Sequence, residues 1–283
     1  MKIALAYNKK PEEDILEDDE PPDRYAEYDP PRTIEAITSA LESLGHKVFP
    51  IEAKKDFLER ILEISPDIVF NIAEGLKGES RESQVPAILE WLGIPYTGSD
   101  PLTMAITLDK PITKKILQVE GIPTPRFAVV SESENLTSVE SLNFPLIVKP
   151  SHEGSSMGLN SKSIVYSCKE LKERVDIIIK FYNQPALVEE FIEGRELTVG
   201  ILGNSPPEVL PIKELDFSGV PENLGRFASG EIKAKYWYLV KHYCPAPLDE
   251  GLYERIKNVS LKVFKVLRCR DLARLDIRLS KDG

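Results

Sequence analysis

A lysine just before a loop of serines and glycines is the first feature of this sequence that could do chemistry. In FPLIVKPSHEGSSMGLN (144–160), Lys149 ends an apolar run of the kind that forms a buried strand. A buried ammonium group needs a negative partner, because desolvating an unpaired charge is costly. Glycines let consecutive N–H groups converge on an anion, and Ser155 and Ser156 add hydroxyl groups. The stretch predicts a phosphate-binding loop, with an ordinary hairpin turn as the alternative.

Glutamates in LVEEFIEGRELTV form a second candidate site, suited to a purine nucleoside. Alternate side chains of a strand share a face, so Glu189 and Phe191 point together. Glu190 and Ile192 point to the opposite face. A carboxylate beside an apolar ring can accept hydrogen bonds from an exocyclic amine, and Glu196, just past the following turn, could accept from ribose hydroxyls. The alternative is an acidic hairpin that faces solvent.

A third candidate lies in ARLDIRL near the end of the chain. Arg274 and Asp276 are two residues apart on a predicted strand, so their side chains project from one face. If that face lines a cleft, Asp276 is a hard oxygen ligand for Mg²⁺. Arg274 can then stabilise a developing oxyanion. A structural salt bridge between the two is the alternative.

The elements that must position these residues change in character along the chain. The first hundred residues alternate strands with helical patterns, and the predicted strands are KIALAY (2–7), HKVFPIE (46–52) and DIVFNI (67–72). Such alternation predicts a parallel sheet, which binds ligands at the carboxyl ends of its strands. Neither G-x-G-x-x-G nor G-x-x-x-x-G-K-[ST] occurs, so the fingerprints of dinucleotide-binding and P-loop sites are absent.

From about Pro101 the predicted elements form a mixed α+β pattern. They are a helix over 111–121, strands in RFAVV, FPLIVK and SIVYS, a helix over 168–182, two strands joined by a turn at Glu193-Gly194, a strand in PEVLPIKELDF, a polar stretch over 218–235, the helix DEGLYERIKNVSLKVFKVLRC and the strand DLARLDIRLS.

The charge of the chain bears on its partners. The formal net charge of −10 argues against a nucleic acid, whose backbone requires clustered cations. No apolar run is long enough to span a membrane, and the start MKIALAYNKK is too short and polar for a signal peptide, so a cytoplasmic location is expected. Residues 8–30 hold ten acids and three bases, which predicts a solvated, mobile loop, or else one that closes over a site.

In this order, the motifs resemble the ATP-grasp superfamily, and most closely its D-alanine:D-alanine ligase branch. The matching stretches are GIPYTGSDPLTMAITLDKPITKK (93–115), GIPTP, FPLIVKPSHEGSSMGL, LVEEFIEGRELTVGILG, KAKYWYLVKHYCPAPL (233–248) and ARLDIRL. They extend from about Asp67 to the end of the chain. The resemblance implies an α/β fold with a parallel-sheet N-terminal domain (1–100), a central ATP-grasp subdomain (101–187) and a C-terminal one (188–283).

The resemblance also assigns residues to ATP. Lys110 and Lys149 would contact its α- and β-phosphates, and the loop carrying Ser155 and Ser156 would cover the phosphates. The remaining residues assigned to adenine and ribose are Glu189, Glu190, Ile192 and Glu196, with the main chain contributing at Glu190 and Ile192.

The reaction implied joins a carboxylate to an amine through an acyl phosphate, as in peptidoglycan precursor synthesis, with ATP and small amino acids as partners. Asp276 would hold Mg²⁺ or Mn²⁺, and Arg274 would stabilise the tetrahedral oxyanion. Lys235 and Tyr236 belong to a mobile loop that would close on the γ-phosphate and substrate, and Ser155 is assigned a catalytic contact as well. The resemblance further implies a homodimer.

The sequence departs from this branch in the region expected to recognise substrate. NKKPEED replaces a glycine-rich strand end followed by a serine and a glutamate, and Glu74 stands in place of a histidine. Glu79 matches, whereas Arg81 and Glu82 do not. The chain also stops at Gly283, before the Glu and Asn that would complete a two-magnesium site. The alternatives are therefore a ligase for another amino acid or amine, and a catalytically silent nucleotide-binding module.

Overall fold

The strands of the computed structural model, which describes residues 1–12 and 20–283, form three sheets. The elements of the N-terminal part are β1 (Lys2–Tyr7), α1 (Pro31–Ser43), β2 (Lys47–Glu52), α2 (Phe57–Ile64), β3 (Ile68–Asn71) and α3 (Gln84–Leu92), and α4 (Pro101–Leu108) follows them. Strand β1 lies between β2 and β3, and both pairings are parallel, as the alternating pattern predicts. Apolar residues of β1 pack with buried side chains of α2 and α3, such as Ile61 and Leu89, so the sheet has a helix-covered core.

The central part is built around a four-stranded antiparallel sheet. Its elements are α5 (Lys110–Val119), β4 (Phe127–Val130), β5 (Leu146–Pro150), β6 (Ile164–Val165), α6 (Cys168–Tyr182) and β7 (Ala186–Glu190), with strand order β4-β7-β5-β6. Val148 and Val188 on neighbouring strands pack with the apolar face of α6, including Val175 and Ile178. This packing fixes the end of β5, where Lys149 lies.

The C-terminal part contains a five-stranded sheet. Its elements are β8 (Gly194–Leu202), β9 (Glu208–Val209), β10 (Lys213–Asp216), β11 (Lys241–Tyr243), α7 (Glu250–Val266) and β12 (Leu272–Ser280). Helix α7 covers one face of the sheet, where Ile256 and Phe264 meet Leu197 and Val199 of β8. It also packs against residues of α4 and α5, so both of these helices contact the C-terminal part.

The strands on either side of Glu193-Gly194 are present but do not pair with each other. Strand β7 belongs to the central sheet, while β8 pairs with β10 and β12 in the C-terminal sheet. The alternative of an acidic solvent-facing hairpin is therefore wrong. The three residues 191–193 carry the chain from one sheet to the other, and a cleft opens beside them.

Two elements were not predicted from the sequence. Helix α4 is short, and strand β11 contributes three residues at a sheet edge. The stretch 218–235 contains a turn of 3₁₀ helix and most of a π-helical turn (Ile232–Tyr236), whose Ile232 is fully buried. None of the helices within residues 1–12 and 20–283 combines the length and the apolar character needed to cross a bilayer.

Candidate functional site

A cavity of about 330 Å³ lies between the central and C-terminal sheets, beside the crossing from β7 to β8. All but two of the residues predicted for the site line it. They are Lys110, Lys149, Ser155, Ser156, Glu189, Glu190, Ile192, Glu196, Arg274 and Asp276. A more open depression of about 640 Å³ beside Tyr96 and Arg270 holds none of them, so the smaller cavity is the candidate site.

Lys110 is placed by the start of α5. Asp109 caps this helix by accepting a hydrogen bond from the Ile112 N–H at 2.9 Å, which makes Lys110 its first residue. The Lys110 N–H donates to the Ser151 carbonyl at 3.1 Å, and its ammonium donates to the Glu153 carbonyl. Burial, reinforced by the charge of Lys149, lowers the pKa of Lys110 to about 8. An anion placed here would restore the charged form.

Glu189 is held between two ammonium groups. Its two carboxylate oxygens pair with Lys149 at 2.6 Å and Lys114 at 2.9 Å, and Lys114 also donates to the Thr124 hydroxyl at 2.6 Å. Burial alone would raise the pKa of Glu189, but the two lysines lower it below the usual carboxyl value. Sequence reasoning missed Lys114, although it lies four residues after Lys110, on the same side of one helix.

Glu190 and Ile192, just after Glu189 in the chain, also line the cavity. The Glu190 carboxylate turns away and accepts hydrogen bonds from Arg126 at 3.2 Å and from the Asn143 N–H at 2.9 Å. The Glu190 N–H donates to the Arg126 carbonyl at 3.0 Å, and the main-chain contact with adenine that the resemblance implies stays a prediction. The Ile192 carbonyl already accepts from Arg278 at 3.0 Å.

Arg278 is a cavity residue that sequence reasoning missed. Its guanidinium lies 4.8 Å from the ring centroid of Phe191 and donates to Glu196 at 3.1 Å. Burial raises the pKa of Glu196, and the charge of Arg278 opposes that shift. The sequence could have identified Arg278, because Arg274, Asp276 and Arg278 occupy every second position of β12 and so share one face.

The glycine-serine loop differs in detail from the sequence-based expectation. The left-handed conformation falls on Ser155 (φ 45°) and Ser156 (φ 64°), and not only on glycine. Such strain costs roughly 1–3 kcal/mol per residue and concentrates at functional sites. The Ser156 hydroxyl donates to the Ala228 carbonyl at 2.7 Å, which ties the loop to the C-terminal part.

Lys235 and Tyr236 are the two predicted residues that do not line the cavity. Lys233, two residues earlier in the same π-helical turn, lies there instead and donates to the Ser156 hydroxyl at 2.7 Å. Ile232, at the start of this turn, is fully buried in the core of the C-terminal part. Burial and then the charge of Arg274 lower the pKa of Lys233. The sequence offered two lysines in this turn, and only packing distinguishes them.

Arg274 and Asp276 lie on the cavity face of β12. The guanidinium donates to the Asp276 carboxylate at 3.1 Å, and the other oxygen accepts from Thr198 at 3.1 Å. Both side chains are more than half exposed, so this ion pair contributes little to stability and leaves the carboxylate accessible. Both the ion pair and the cavity-facing arrangement predicted from the sequence are present.

The described part of the acidic segment, residues 20–30, packs against the protein and is not a solvated loop. Glu27 accepts a hydrogen bond from the Gly154 N–H at 2.5 Å, and Asp23 accepts one from the Gly158 N–H at 2.7 Å. The expectation of solvation is wrong here because the loop offers backbone donors that the acids can satisfy. Residues 13–19 of the segment lie outside the described residues.

Glu27 also borders a cluster of glutamates in the N-terminal part. One carboxylate oxygen from each of Glu27, Glu74 and Glu82 lies within 4.8 Å of the others. Burial, followed by the charges of neighbouring carboxylates, raises the pKa of Glu74 to about 8 and that of Glu82 to about 7. This cluster occupies the region in which the sequence departs from the family it resembles.

The chain is similar to known proteins over most of its length. The family model for the C-terminus of D-ala D-ala ligase matches residues 116–283. A D-alanine--D-alanine ligase from Aquifex aeolicus is 38% identical over 253 residues, covering 89% of this chain and 80% of that protein. Its counterpart from Pelotomaculum thermopropionicum is 34% identical over 262 residues, covering 89% and 78%.

A solved structure agrees as well. The crystal structure of D-alanine--D-alanine ligase from Bacillus anthracis complexed with ATP superposes with a TM-score of 0.74 at 25% identity, covering 100% of this chain and 83% of that one. The fold and site therefore define an ATP-grasp protein. The chain belongs to the D-alanine–D-alanine ligase family, whose members are ATP-dependent ligases that form carbon–nitrogen bonds.

Proposed function

We propose that this chain binds ATP in the cavity and uses it to join a small amino acid to an amine, with D-alanine as the first candidate for both substrates. The observation that carries the proposal is the meeting of Lys110, Lys149 and the glycine-serine loop at one cavity, with Arg274 and Asp276 on its opposite wall. Cations and loop donors suit a polyphosphate, whereas the arginine and the carboxylate suit the reacting end.

The residues present fit a nucleotide. Glu189 and the backbone near Ile192 offer acceptors for an adenine amine, and Phe191 offers an apolar face. Asp276 is an accessible carboxylate that could ligate one Mg²⁺ or Mn²⁺, whose charge would neutralise the phosphates during transfer. The nucleotide's own oxygens would supply further ligands.

The proposed chemistry has two steps. A carboxylate oxygen of the first substrate attacks the γ-phosphorus of ATP, so an acyl phosphate forms and ADP leaves. The amine of the second substrate then attacks the acyl carbon, loses a proton and expels phosphate. Lys110 and Lys149 offset phosphate charge, while the Arg274 guanidinium donates to the oxyanion of the tetrahedral intermediate. Ser155 and the turn with Lys235 and Tyr236 would cover the reacting groups and exclude water.

We also propose a domain division, a cellular location and an oligomeric state. We place the domain boundaries near residues 100 and 187, which the division into three sheets supports. A cytoplasmic location and a homodimer are proposed from family membership.

The test is release of phosphate from ATP by the full-length protein with a panel of D- and L-amino acids. We expect release with at least one pair, and a new amide product by mass spectrometry. Release with no pair, despite ATP binding, would favour the silent nucleotide-binding module. Absence of ATP binding would overturn the proposal altogether.

ATP binding should depend on pH through Lys110. Because burial lowers the pKa of Lys110 to about 8, the charged form that attracts phosphate is lost as pH rises through that value. We expect ATP affinity to fall above about pH 8, by at most roughly tenfold per pH unit. Titration calorimetry from neutral to alkaline pH measures it.

Lys110→Arg is the control for this pH dependence, because a guanidinium stays charged across the range. Its affinity for ATP should not show the decline near pH 8. Identical pH profiles for the wild type and Lys110→Arg would assign the effect to another group.

A second candidate function is ligation of a substrate with an additional amine. The cluster of Glu27, Glu74 and Glu82 favours it, since three carboxylates within 4.8 Å suit a cation. Glu74 replaces the histidine of the family pattern, so a substrate different from D-alanine is consistent with the sequence.

The number of protons released on binding distinguishes D-alanine from a substrate with an additional amine. The raised pKa values of Glu74 (about 8) and Glu82 (about 7) mean that the folded protein holds protons there near pH 7. An ammonium group would lower these values, so its binding should release protons. We expect 2,4-diaminobutyrate to release more protons than D-alanine, measured by calorimetry in two buffers of different ionisation enthalpy.

Glu74→Gln should reduce that release, whereas Glu79→Gln, at an exposed position, should not. If the two amino acids release equal numbers of protons and D-alanine binds better, the candidate with an additional amine is wrong.

A further inference from the structure

The glycine-serine loop is held at both ends by the acidic segment that precedes α1. At its start, the Gly154 N–H donates to Glu27 at 2.5 Å. At its end, the Gly158 N–H donates to one carboxylate oxygen of Asp23 at 2.7 Å. The two serines in left-handed conformation lie between these contacts, so the strained part of the loop is fixed on either side.

Both glycines at the ends of the loop have close neighbours. A Cβ atom at Gly154 would have to displace the Glu27 carboxylate that accepts from its N–H. Gly158 has φ 72°, and a Cβ atom there would lie 2.6 Å from the Pro150 ring. The loop sequence therefore accommodates the acidic segment as well as a ligand.

The carboxylates of the segment have partners that fix them in turn. The second oxygen of Asp23 accepts from the Tyr182 hydroxyl at 2.7 Å, at the end of α6. Glu27 pairs with Arg81 at 2.6 Å, and that arginine also donates to the His152 carbonyl at 2.7 Å. Arg81 is buried and pairs with Glu153 at 3.0 Å. The segment, the N-terminal part and the loop thus form one network.

We infer that residues 20–30 act as a clasp that holds the glycine-serine loop in the shape that binds phosphate, with Asp23 as a positioning residue. Asp23 is not one of the residues that line the cavity, so it acts through Gly158 and not on the nucleotide. The inference rests on the proposed function, because it concerns affinity for the phosphates of ATP. It gives the acidic segment a role that its composition does not suggest.

The experiment compares ATP with adenosine, since the clasp touches the loop and not the residues around the adenine. Asp23→Asn keeps the side-chain shape but removes the charge and one acceptor. We expect it to weaken ATP binding by about tenfold, which is typical for the loss of a hydrogen bond to a charged group. Adenosine binding should stay within about twofold, since adenosine lacks the phosphates that the loop would hold. Both are measured by calorimetry on the full chain.

Asp29→Asn is the matched control, because Asp29 lies in the same segment and its backbone, not its carboxylate, bonds to residues 8 and 10. It should leave both affinities unchanged. Tyr182→Phe removes only the support of Asp23 and should weaken ATP binding by a smaller factor, which keeps the inference testable should Asp23→Asn fold poorly.

Three outcomes would overturn the inference. The first is wild-type ATP affinity in both Asp23→Asn and Tyr182→Phe. The second is an equal loss of affinity for ATP and adenosine in Asp23→Asn, which indicates a general folding role. The third is that Asp29→Asn weakens ATP binding as much as Asp23→Asn does. If the wild type binds adenosine and ATP with the same affinity, the phosphate site itself is wrong, and the proposed function fails together with the clasp.

Discussion

Lys149→Met should weaken binding of Mg-ATP by about 10- to 100-fold. Hydrogen bonds to charged groups contribute about 1.5–3 kcal/mol, and each 1.4 kcal/mol corresponds to a factor of ten in affinity. The substitution keeps an unbranched side chain of similar length, so the end of β5 should pack as before. What it removes is one of the two ammonium groups proposed to contact the phosphates, together with one partner of the Glu189 carboxylate.

The loss of that partner makes a second effect testable. Glu189 is buried and would be left with Lys114 as its ion-pair partner, so part of its charge would be uncompensated. We expect a lower melting temperature for Lys149→Met, and a smaller decrease when Glu189→Gln is added. Binding is therefore compared only at temperatures at which the melting curve shows the variant folded.

The control for Lys149→Met is Lys115→Met, at an exposed position on α5. It removes the same charge from the same part of the protein, so a general electrostatic effect would appear in both variants. Equal affinities for Lys149→Met and the wild type would contradict the proposal that this ammonium contacts phosphate.

Arg274→Ala should lower kcat by about 10²–10³ while leaving ATP affinity within about threefold. Removing one donor to a developing oxyanion has an effect of this size, because the interaction forms only in the transition state. The pair of Arg274 with Asp276 is exposed, and exposed pairs contribute little to stability, so the melting temperature should not change. Initial rates of phosphate release and calorimetric titration with ATP separate the two effects.

Arg274→Lys and Arg255→Ala complete this experiment. The lysine keeps the charge but lacks the planar fork of donors, so it should recover only part of kcat. Arg255 is exposed on α7, and its substitution should leave kcat unchanged. A large rise in KM for ATP with normal kcat in Arg274→Ala would instead place Arg274 in nucleotide binding.

Much of the site could be predicted because its residues sit in patterns with fixed geometry. Lys149 ends an apolar strand, and Arg274 and Asp276 alternate on another, so their faces follow from the period of a strand. The same period would have identified Arg278. The order of strands and helices in the first hundred residues likewise led to the parallel sheet.

Other features depend on contacts between distant parts of the chain. The strands on either side of Glu193-Gly194 look like a hairpin, yet they join different sheets, and local sequence cannot tell these cases apart. Lys233 and Lys235 have identical side chains and lie two residues apart in the sequence. Only the folded structure shows that the first of them lines the cavity and the second does not.

The alternation of elements, the strand faces that carry chemistry and the family can all be read from the chain, because they depend on short-range periodicity and on ordered motifs. The partners of the acids in residues 20–30 become known only from the folded protein. Asp23 and Glu27 are 135 and 127 residues away from the glycines that donate to them. A carboxylate in a polar segment is solvated unless folding brings an unpaired N–H to it, and no local pattern records which N–H that will be.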